Sequence, residues 1–341
     1  MNKTTALLTR LSVLSASLAA AATTGLAAGS QDFLGQWAFT LPGGGAGWLG
    51  ITKERGYYDA GILWGWGSVT PVDSVFFTDD SLYVVRINEV KRKDASGKVV
   101  RTHRIPEAMI GQVDGDELVL TRMTPRENGE GIERQQLTAK RLPPMPPAPD
   151  LSQVKFGPAI PLFNGKNLDG WRLTSPGDVS GWSVQDGLLI NRPVQEEGKP
   201  HKNYGNLRTD REFEDFNLTC EFRLPPGGNS GIYLRGIYEI QVADTFGKPL
   251  NPHNCGGLYS RITPSEAAEK PAGEWQTFDL TLVNRHVTVI LNGKTIIANQ
   301  PAPGPTGGAL WAEVNRPGPL YLQGDHTGVD YRSFVIKPVV K

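Results

Sequence analysis

The chain is short of cysteine, of net charge and of long apolar runs, and each shortage closes off a class of protein. Only two of its 341 residues are cysteine, Cys220 and Cys255, too few for a disulfide-built miniature scaffold. Its 35 lysines and arginines balance 35 aspartates and glutamates, so there is no electrostatic footprint for nucleic acid. Beyond residue 28 no stretch reaches the roughly 18–20 apolar residues that a membrane-spanning helix needs. Glycine-rich dinucleotide motifs, a nucleophile elbow and recognisable metal-ligand spacings are also missing. Plentiful instead are 40 glycines and 26 prolines, with charged residues at 21%. That is the composition of a turn-rich globular protein.

Residues 1–28 read as a secretory signal peptide. Lys3 and Arg10 form its basic leader, Leu11 to Ala22 its short apolar core, and cleavage is expected near Ala27 or Ala28. No cysteine lies near the cut, which argues against lipid anchoring. The mature protein is therefore expected to be soluble and exported, periplasmic or secreted. In that oxidising setting a Cys220–Cys255 disulfide is one option. The other is that Cys220, in step with Leu218, Phe222 and Leu224, packs as a small core residue.

Prolines crowd residues 142–158, where fixed φ and missing donors suit a semi-rigid linker. It separates a small β domain at 31–141 from a larger one at 159–341. The first shows short β-like runs, such as Ser81–Ile87 and Glu117–Arg122 after an Asp114-Gly115 turn, and no helical periodicity over three turns. Its opening Gly35-Gln36-Trp37 resembles the start of lipocalin-like barrels; a small β sandwich is the alternative. The segment Leu63-Trp-Gly-Trp-Gly67 suits a packed barrel wall better than a sugar-stacking platform.

From Leu162 onward the β pattern strengthens. Phe216–Leu224 alternates, Trp182–Ile190 reads as strand, Asp186-Gly187 turn and strand, and Asn292-Gly293 marks a further hairpin. Only Ser265–Glu269 looks briefly helical. Many short antiparallel strands make the chain all-β, with a sandwich or jelly roll at its C-terminal end. The run Asn229–Asp244 reads as one strand-like stretch with Arg235, Glu239 and Gln241 on one parity. Ile232, Leu234, Tyr238, Ile240 and Val242 take the other and read as core; Gly236 marks a possible bulge or turn.

Several motifs then stand in a family order: Leu162-Phe-Asn-Gly-Lys-Asn-Leu-Asp-Gly-Trp171, Glu221-Phe-Arg223, Asn229-Ser-Gly-Ile-Tyr-Leu-Arg235, Tyr238-Glu-Ile-Gln-Val-Ala-Asp244, Pro271-Ala-Gly-Glu-Trp275, Leu322-Gln-Gly-Asp-His326 and Tyr331-Arg-Ser-Phe-Val-Ile-Lys337. Across about 160–338 the chain resembles the 3-keto-disaccharide hydrolase domain family; the N-terminal domain lies outside the resemblance. The resemblance implies a concanavalin-like jelly roll acting on oxidised, 3-keto sugars or glycosides in bacterial sugar breakdown.

A glycoside with a ketone at C3 has an acidic hydrogen at C2. Its loss expels the C1 substituent, and water then adds across the double bond. Such chemistry needs a base, an acid and donors for an enolate oxygen. It needs neither the two flanking carboxylates of an ordinary glycosidase nor a nicotinamide. Glu239, set among apolar neighbours, is the first choice for proton transfer, with a structural ion pair to Arg235 as its alternative. His326, beside Asp325, is the second, and Asp244 the third, although a strand-end aspartate equally suits a turn. Arg235, Gln241, Asn229, Tyr233, Trp275 and Gln323 are the substrate-binding candidates. No cofactor is expected; a divalent ion shared by Glu239, Asp244 and His326 is the remaining option. The rival readings are a carbohydrate-binding module without chemistry and a conventional two-carboxylate glycosidase.

Overall fold

The computed structural model describes residues 29–340, so the expected leader at 1–28 lies outside the described residues. Strands β1 (Gly35–Thr40), β2 (Ala46–Glu54), β3 (Tyr57–Trp64), β4 (Thr70–Pro71), β5 (Ser74–Thr78), β6 (Ser81–Lys93), β7 (Val99–Asp114), β8 (Glu117–Pro125) and β9 (Ile132–Arg141) follow one another as a meander. β1 pairs with both β2 and β9, so the sheet curls back on itself. Its seam is crossed by the chain itself: Val72 N donates to Ala60 O of β3, and Asp73 N to Val85 O of β6, at 3.0 and 2.9 Å. The result is a barrel, which removes the exposed edges an open sheet would leave.

Phe33, Trp37, Leu49, Ile62, Leu82, Met109 and Leu120 fill the barrel. The turn Ser30–Phe33 plugs one end: Trp37 Nε1 donates to Phe33 O at 2.9 Å, while the Arg141 guanidinium stacks 4.1 Å from the Trp37 ring and donates to Leu34 O. Inside the wall, the buried Glu107 carboxylate is held by Arg86, Arg122 and Thr124. A buried charge is tolerable only with such compensation.

The rest of the chain forms two sheets. One orders β12 (Trp182–Gln185), β13 (Leu188–Asn191), β22 (Val329–Pro338), β15 (Phe216–Arg223), β18 (Gln276–Val283), β19 (His286–Leu291) and β20 (Lys294–Pro301), with β10 (Ile160–Pro161) also on β22. The other orders β11 (Trp171–Leu173), β14 (Leu207–Thr209), β21 (Tyr321–Leu322), β16 (Asn229–Leu234) and β17 (Tyr238–Ala243). Their inner faces share one core that includes Phe216, Leu218, Phe222, Ile232, Ile240, Leu280 and Phe334. The strict in–out burial of Phe216–Arg223 is the alternation expected of a strand with one face on that core. This is the jelly-roll sandwich of an all-β chain.

Two-residue turns with positive φ at both central residues join several neighbours, as at Asp186-Gly187, Asn284-Arg285 and Asn292-Gly293; this backbone twist matches that of the flanking strands. One expectation is corrected, and the choice left open for the cysteines is decided. Ser265–Glu269 is a bend and extended chain, not a helical turn; its first amide is taken by another strand, with Ser265 N donating to Ile296 O. Cys220 and Cys255 are free thiols, both buried; Cys220 keeps its place in the core beside Phe222 and Phe278.

The proline-rich segment after β9 lies along the sandwich. Arg285 Nη1 donates to Pro143 O at 2.9 Å and Asn299 Nδ2 to Pro149 O at 2.9 Å. The barrel also rests its outer surface on the sandwich. Ala38, Ala46, Trp48, Leu63 and Leu142 belong to the sandwich's core cluster, not the barrel's. That explains why Ala46–Ile51 is buried at every position, on both faces of the strand. Among the described residues no helix is long and apolar enough to cross a membrane.

Candidate active site

β16 and β17 form a hairpin whose register sets Tyr233 opposite Glu239 and Gly231 opposite Gln241. Partners across a pair share a face. Ile232, Leu234, Tyr238, Ile240 and Val242 occupy the core face and are fully buried, as their parity in the sequence anticipates. The reading of Asn229–Asp244 as one run fails at Arg235. There the chain reverses: Arg235 and Gly236 have φ of 56° and 69°, and Ile237 N donates to Leu234 O at 3.1 Å. The reversal carries Arg235 off the polar face. Its guanidinium, 2% exposed, donates to Arg316 O through Nε at 3.1 Å and Nη2 at 2.6 Å. It forms no ion pair with Glu239.

The polar face floors a cavity of about 320 Å3, within the range of small-ligand sites. The hairpin contributes Asn229, Tyr233, Glu239 and Gln241; the segment after β21 contributes Gln323, Asp325 and His326. Tyr259, Gly307 and Gly308 come from sandwich loops, and Trp66 and Gly67 from the barrel. The edge of β17 is sealed on this side, since Tyr259 N donates to Glu239 O and Gly256 N to Gln241 O.

Glu239 is 3% exposed. Burial, opposed by the Tyr233 hydroxyl and reinforced by the Asp325 charge, pushes its carboxyl up to about 8. Proton counting around it agrees. Tyr233 Oη lies 2.9 Å from Glu239 Oε2 and 2.7 Å from Gly307 O, but a phenol has one proton to give. Gly307 O can only accept. Both short contacts are satisfied together when Tyr233 donates to Gly307 O and a protonated Glu239 donates to Tyr233. Tyr233 is itself fixed by stacking on Tyr321, with centroids 4.1 Å apart. Gly231 makes room for the carboxyl: a Cβ there would overlap Glu239 Oε1.

Across the cavity, His326 Nδ1 donates to Asp325 Oδ1 at 2.9 Å. That hydrogen bond, outweighing partial burial, raises the imidazole above its ordinary value and leaves Nε2 as the second ring nitrogen. Three side-chain amides complete the lining. Asn229 Oδ1, Gln241 Oε1 and Gln323 Oε1 are all buried without a hydrogen-bond partner in the protein. Buried polar atoms are normally paired, and three unpaired acceptors around one cavity suit a ligand rich in hydroxyl donors.

Of the candidates drawn from sequence, Glu239, His326, Gln241, Asn229, Tyr233 and Gln323 line this cavity. Three do not. Arg235 is turned away as described. Asp244 closes a turn, accepting from Gly227 N at 2.8 Å through Oδ2. The trio Glu239, Asp244 and His326 therefore does not assemble as a metal site, and among the described residues no three His, Cys, Asp or Glu side chains cluster that way. Trp275 lies between the guanidinium groups of Arg223 and Arg332, at 4.8 and 4.4 Å, on the outer side of the other sheet. Sequence reasoning missed Tyr259 and the Gly307-Gly308 pair, weighed the segment holding Trp66 as a sugar-stacking platform but preferred a barrel wall, and named Asp325 only as the neighbour of His326. The signal for Trp66 was its place in an aromatic, glycine-rich segment; Tyr259 had none.

Residues 158–337 match the 3-keto-alpha-glucoside-1,2-lyase-like domain. A 3-keto-disaccharide hydrolase of Bacteroides thetaiotaomicron is 29% identical over 143 aligned positions, which cover 34% of this chain and 49% of that protein. The chain thus spans about half the length of that relative. A crystal structure of a candidate glycosyl hydrolase from Parabacteroides distasonis is 26% identical, covering 58% of this chain and 94% of that one at a TM-score of 0.44. Porphyranase B of Zobellia galactanivorans is 12% identical, covering 59% of this chain and 100% of that one at a TM-score of 0.34. The matched domain takes up more than half of the chain and holds every sandwich residue of the cavity, so this protein belongs to the 3-keto-alpha-glucoside-1,2-lyase-like family.

Proposed function

We propose that this protein is an exported enzyme that cleaves 3-keto-glycosides by removing the C2 proton, expelling the C1 substituent and adding water to the resulting enone. The observation that carries this reading is a carboxyl, buried and so biased toward its protonated form, on the floor of a cavity ringed by unpaired amide oxygens and facing a His–Asp pair. Such a site pairs one proton donor, Glu239, with one group, His326, that accepts a proton once its imidazole is neutral, which is the division of labour that elimination requires.

In this reading, neutral His326 takes the C2 hydrogen through Nε2, and Asp325 stabilises the imidazolium that forms. The electron pair of the C2–H bond becomes the C1=C2 bond as the C1–O bond breaks. Glu239 gives its proton to the departing oxygen, and Tyr233 then turns its hydroxyl proton toward the new carboxylate. The amide oxygens of Asn229, Gln241 and Gln323 accept from sugar hydroxyls, and an amide NH2 group among them donates to the C3 oxygen, where negative charge develops. Water added to the enone places OH on C1 and returns hydrogen to C2, giving the free 3-keto sugar.

The test is turnover of a 3-keto-disaccharide beside its unoxidised parent, followed by ultraviolet absorption of the conjugated enone and by release of the second sugar. Cleavage of the keto compound alone is expected. Equal cleavage of the parent would establish a conventional glycosidase instead, and tight binding of both without turnover would establish a binding module.

A further inference from the structure

The barrel reaches into the cavity at one place, the loop after β3. Its segment splits in two. Trp64 is a wall residue, packed on Phe39 and covered by the Arg122 guanidinium at 4.2 Å. Trp66, two residues on, lines the cavity and is 70% exposed. An exposed indole on a wandering loop would mean little. This loop is fixed: Gly308 N donates to Gly65 O at 2.9 Å, Val69 N to Ser260 Oγ at 2.9 Å, and Ser68 Oγ bonds His253 Nε2 at 2.7 Å. Gly307 lies so close beneath Gly67 that a Cβ would overlap the Gly67 carbonyl. The glycines bring the two backbones together, and Gly308 carries no side chain to screen the indole from the cavity below it.

We propose that Trp66 is a specificity-determining platform, supplied by the N-terminal barrel, on which the second sugar ring of a disaccharide substrate stacks while the oxidised ring sits over Glu239. The inference rests on the sugar-binding reading of the cavity and adds to it an occupant for the rim. A flat, rigid indole offers a pyranose C–H face a large contact at small entropic cost, and the amide heads deeper in the cavity supply the hydrogen bonds that a ring face lacks. The platform lies outside the matched domain, so preference for a second sugar is a property of the whole chain, not of the sandwich alone.

The experiment compares the full-length protein with Trp66→Ala and Trp66→Phe on a 3-keto-disaccharide and on the methyl 3-keto-glucoside, and separately measures disaccharide binding by calorimetry in the Glu239→Gln background. Trp66→Ala is expected to raise KM for the disaccharide roughly tenfold, to leave kcat and the methyl glycoside within about twofold, and to weaken calorimetric affinity in proportion; Trp66→Phe is expected to recover most of the loss. Unchanged disaccharide KM and affinity in Trp66→Ala would overturn the platform while leaving the reaction intact. Binding that depends on Trp66 without turnover of any keto-glycoside would uphold the platform and overturn the reaction. Equal losses on both substrates would show a general packing role and overturn the platform.

Discussion

At the scale of single residues, the site turns on where protons rest. Glu239 is protonated below about pH 8 in the folded protein, whereas an unfolded chain releases that proton near 4.5. Between those values only the unfolded state ionises, so stability is lost progressively as pH rises from 4.5 to 8, by roughly 4–5 kcal/mol in all. Glu239→Gln removes this burden: its melting temperature should match the parent near pH 4.5 and exceed it at pH 8, while turnover falls at least a hundredfold on the order expected for a lost general acid. The same two groups set the rate profile. His326 must be neutral and Glu239 protonated, which gives a bell with an alkaline limb near 8 and an acid limb above the ordinary imidazole value of 6.5. Because the Asp325 hydrogen bond is what raises His326, Asp325→Asn should move the acid limb downward in a kcat/KM profile. An unmoved limb would take His326 out of the base role. Glu239 and His326 could be nominated from sequence through residue type and parity. The protonation state of Glu239 could not, since it depends on a tyrosine across the hairpin and a carbonyl 68 positions along the chain.

At the scale of elements, alternation was legible and reversal was not. Phe216–Arg223 and the core face of β16 and β17 follow directly from period-two patterning. The reversal at Arg235-Gly236 breaks no pattern, because the three-residue connection between the paired Leu234 and Tyr238 keeps the parity of a continuous strand on both sides. Arginine at positive φ is an uncommon turn former, so the usual asparagine–glycine cue was missing. Asn292-Gly293, which carries that cue, was readable. The hairpin also explains why a glycine must face Glu239. Gly231→Ala would drive a methyl group into the carboxyl; displacement of that group by about 1 Å should lower kcat/KM on the order of a hundredfold. Circular dichroism of the variant should keep the parental β spectrum, separating this loss from unfolding.

At the scale of the molecule, the barrel and sandwich are joined by packed side chains and loop hydrogen bonds rather than by a shared strand. Trp48 sits on the barrel's outer surface yet packs into the sandwich cluster, with the Arg261 guanidinium 4.3 Å above its ring. Burial in the low-polarity contact brings that guanidinium down to about 9. Trp48→Ala should cost about 3–5 kcal/mol in urea denaturation monitored by fluorescence. Nothing in the sequence near Trp48 marks it as a bridge, since its neighbours satisfy a barrel strand equally well, and a contact between parts of a chain is written in neither part alone. The two buried thiols have a practical outcome of their own. Burial holds Cys220 far above, and Cys255 at about 12, relative to ordinary cysteine, so neither is nucleophilic in the native protein. Iodoacetamide should therefore add no mass until the sandwich opens, after which two adducts appear; the modification rate becomes a clock for global unfolding, and folding itself should proceed equally well with dithiothreitol present.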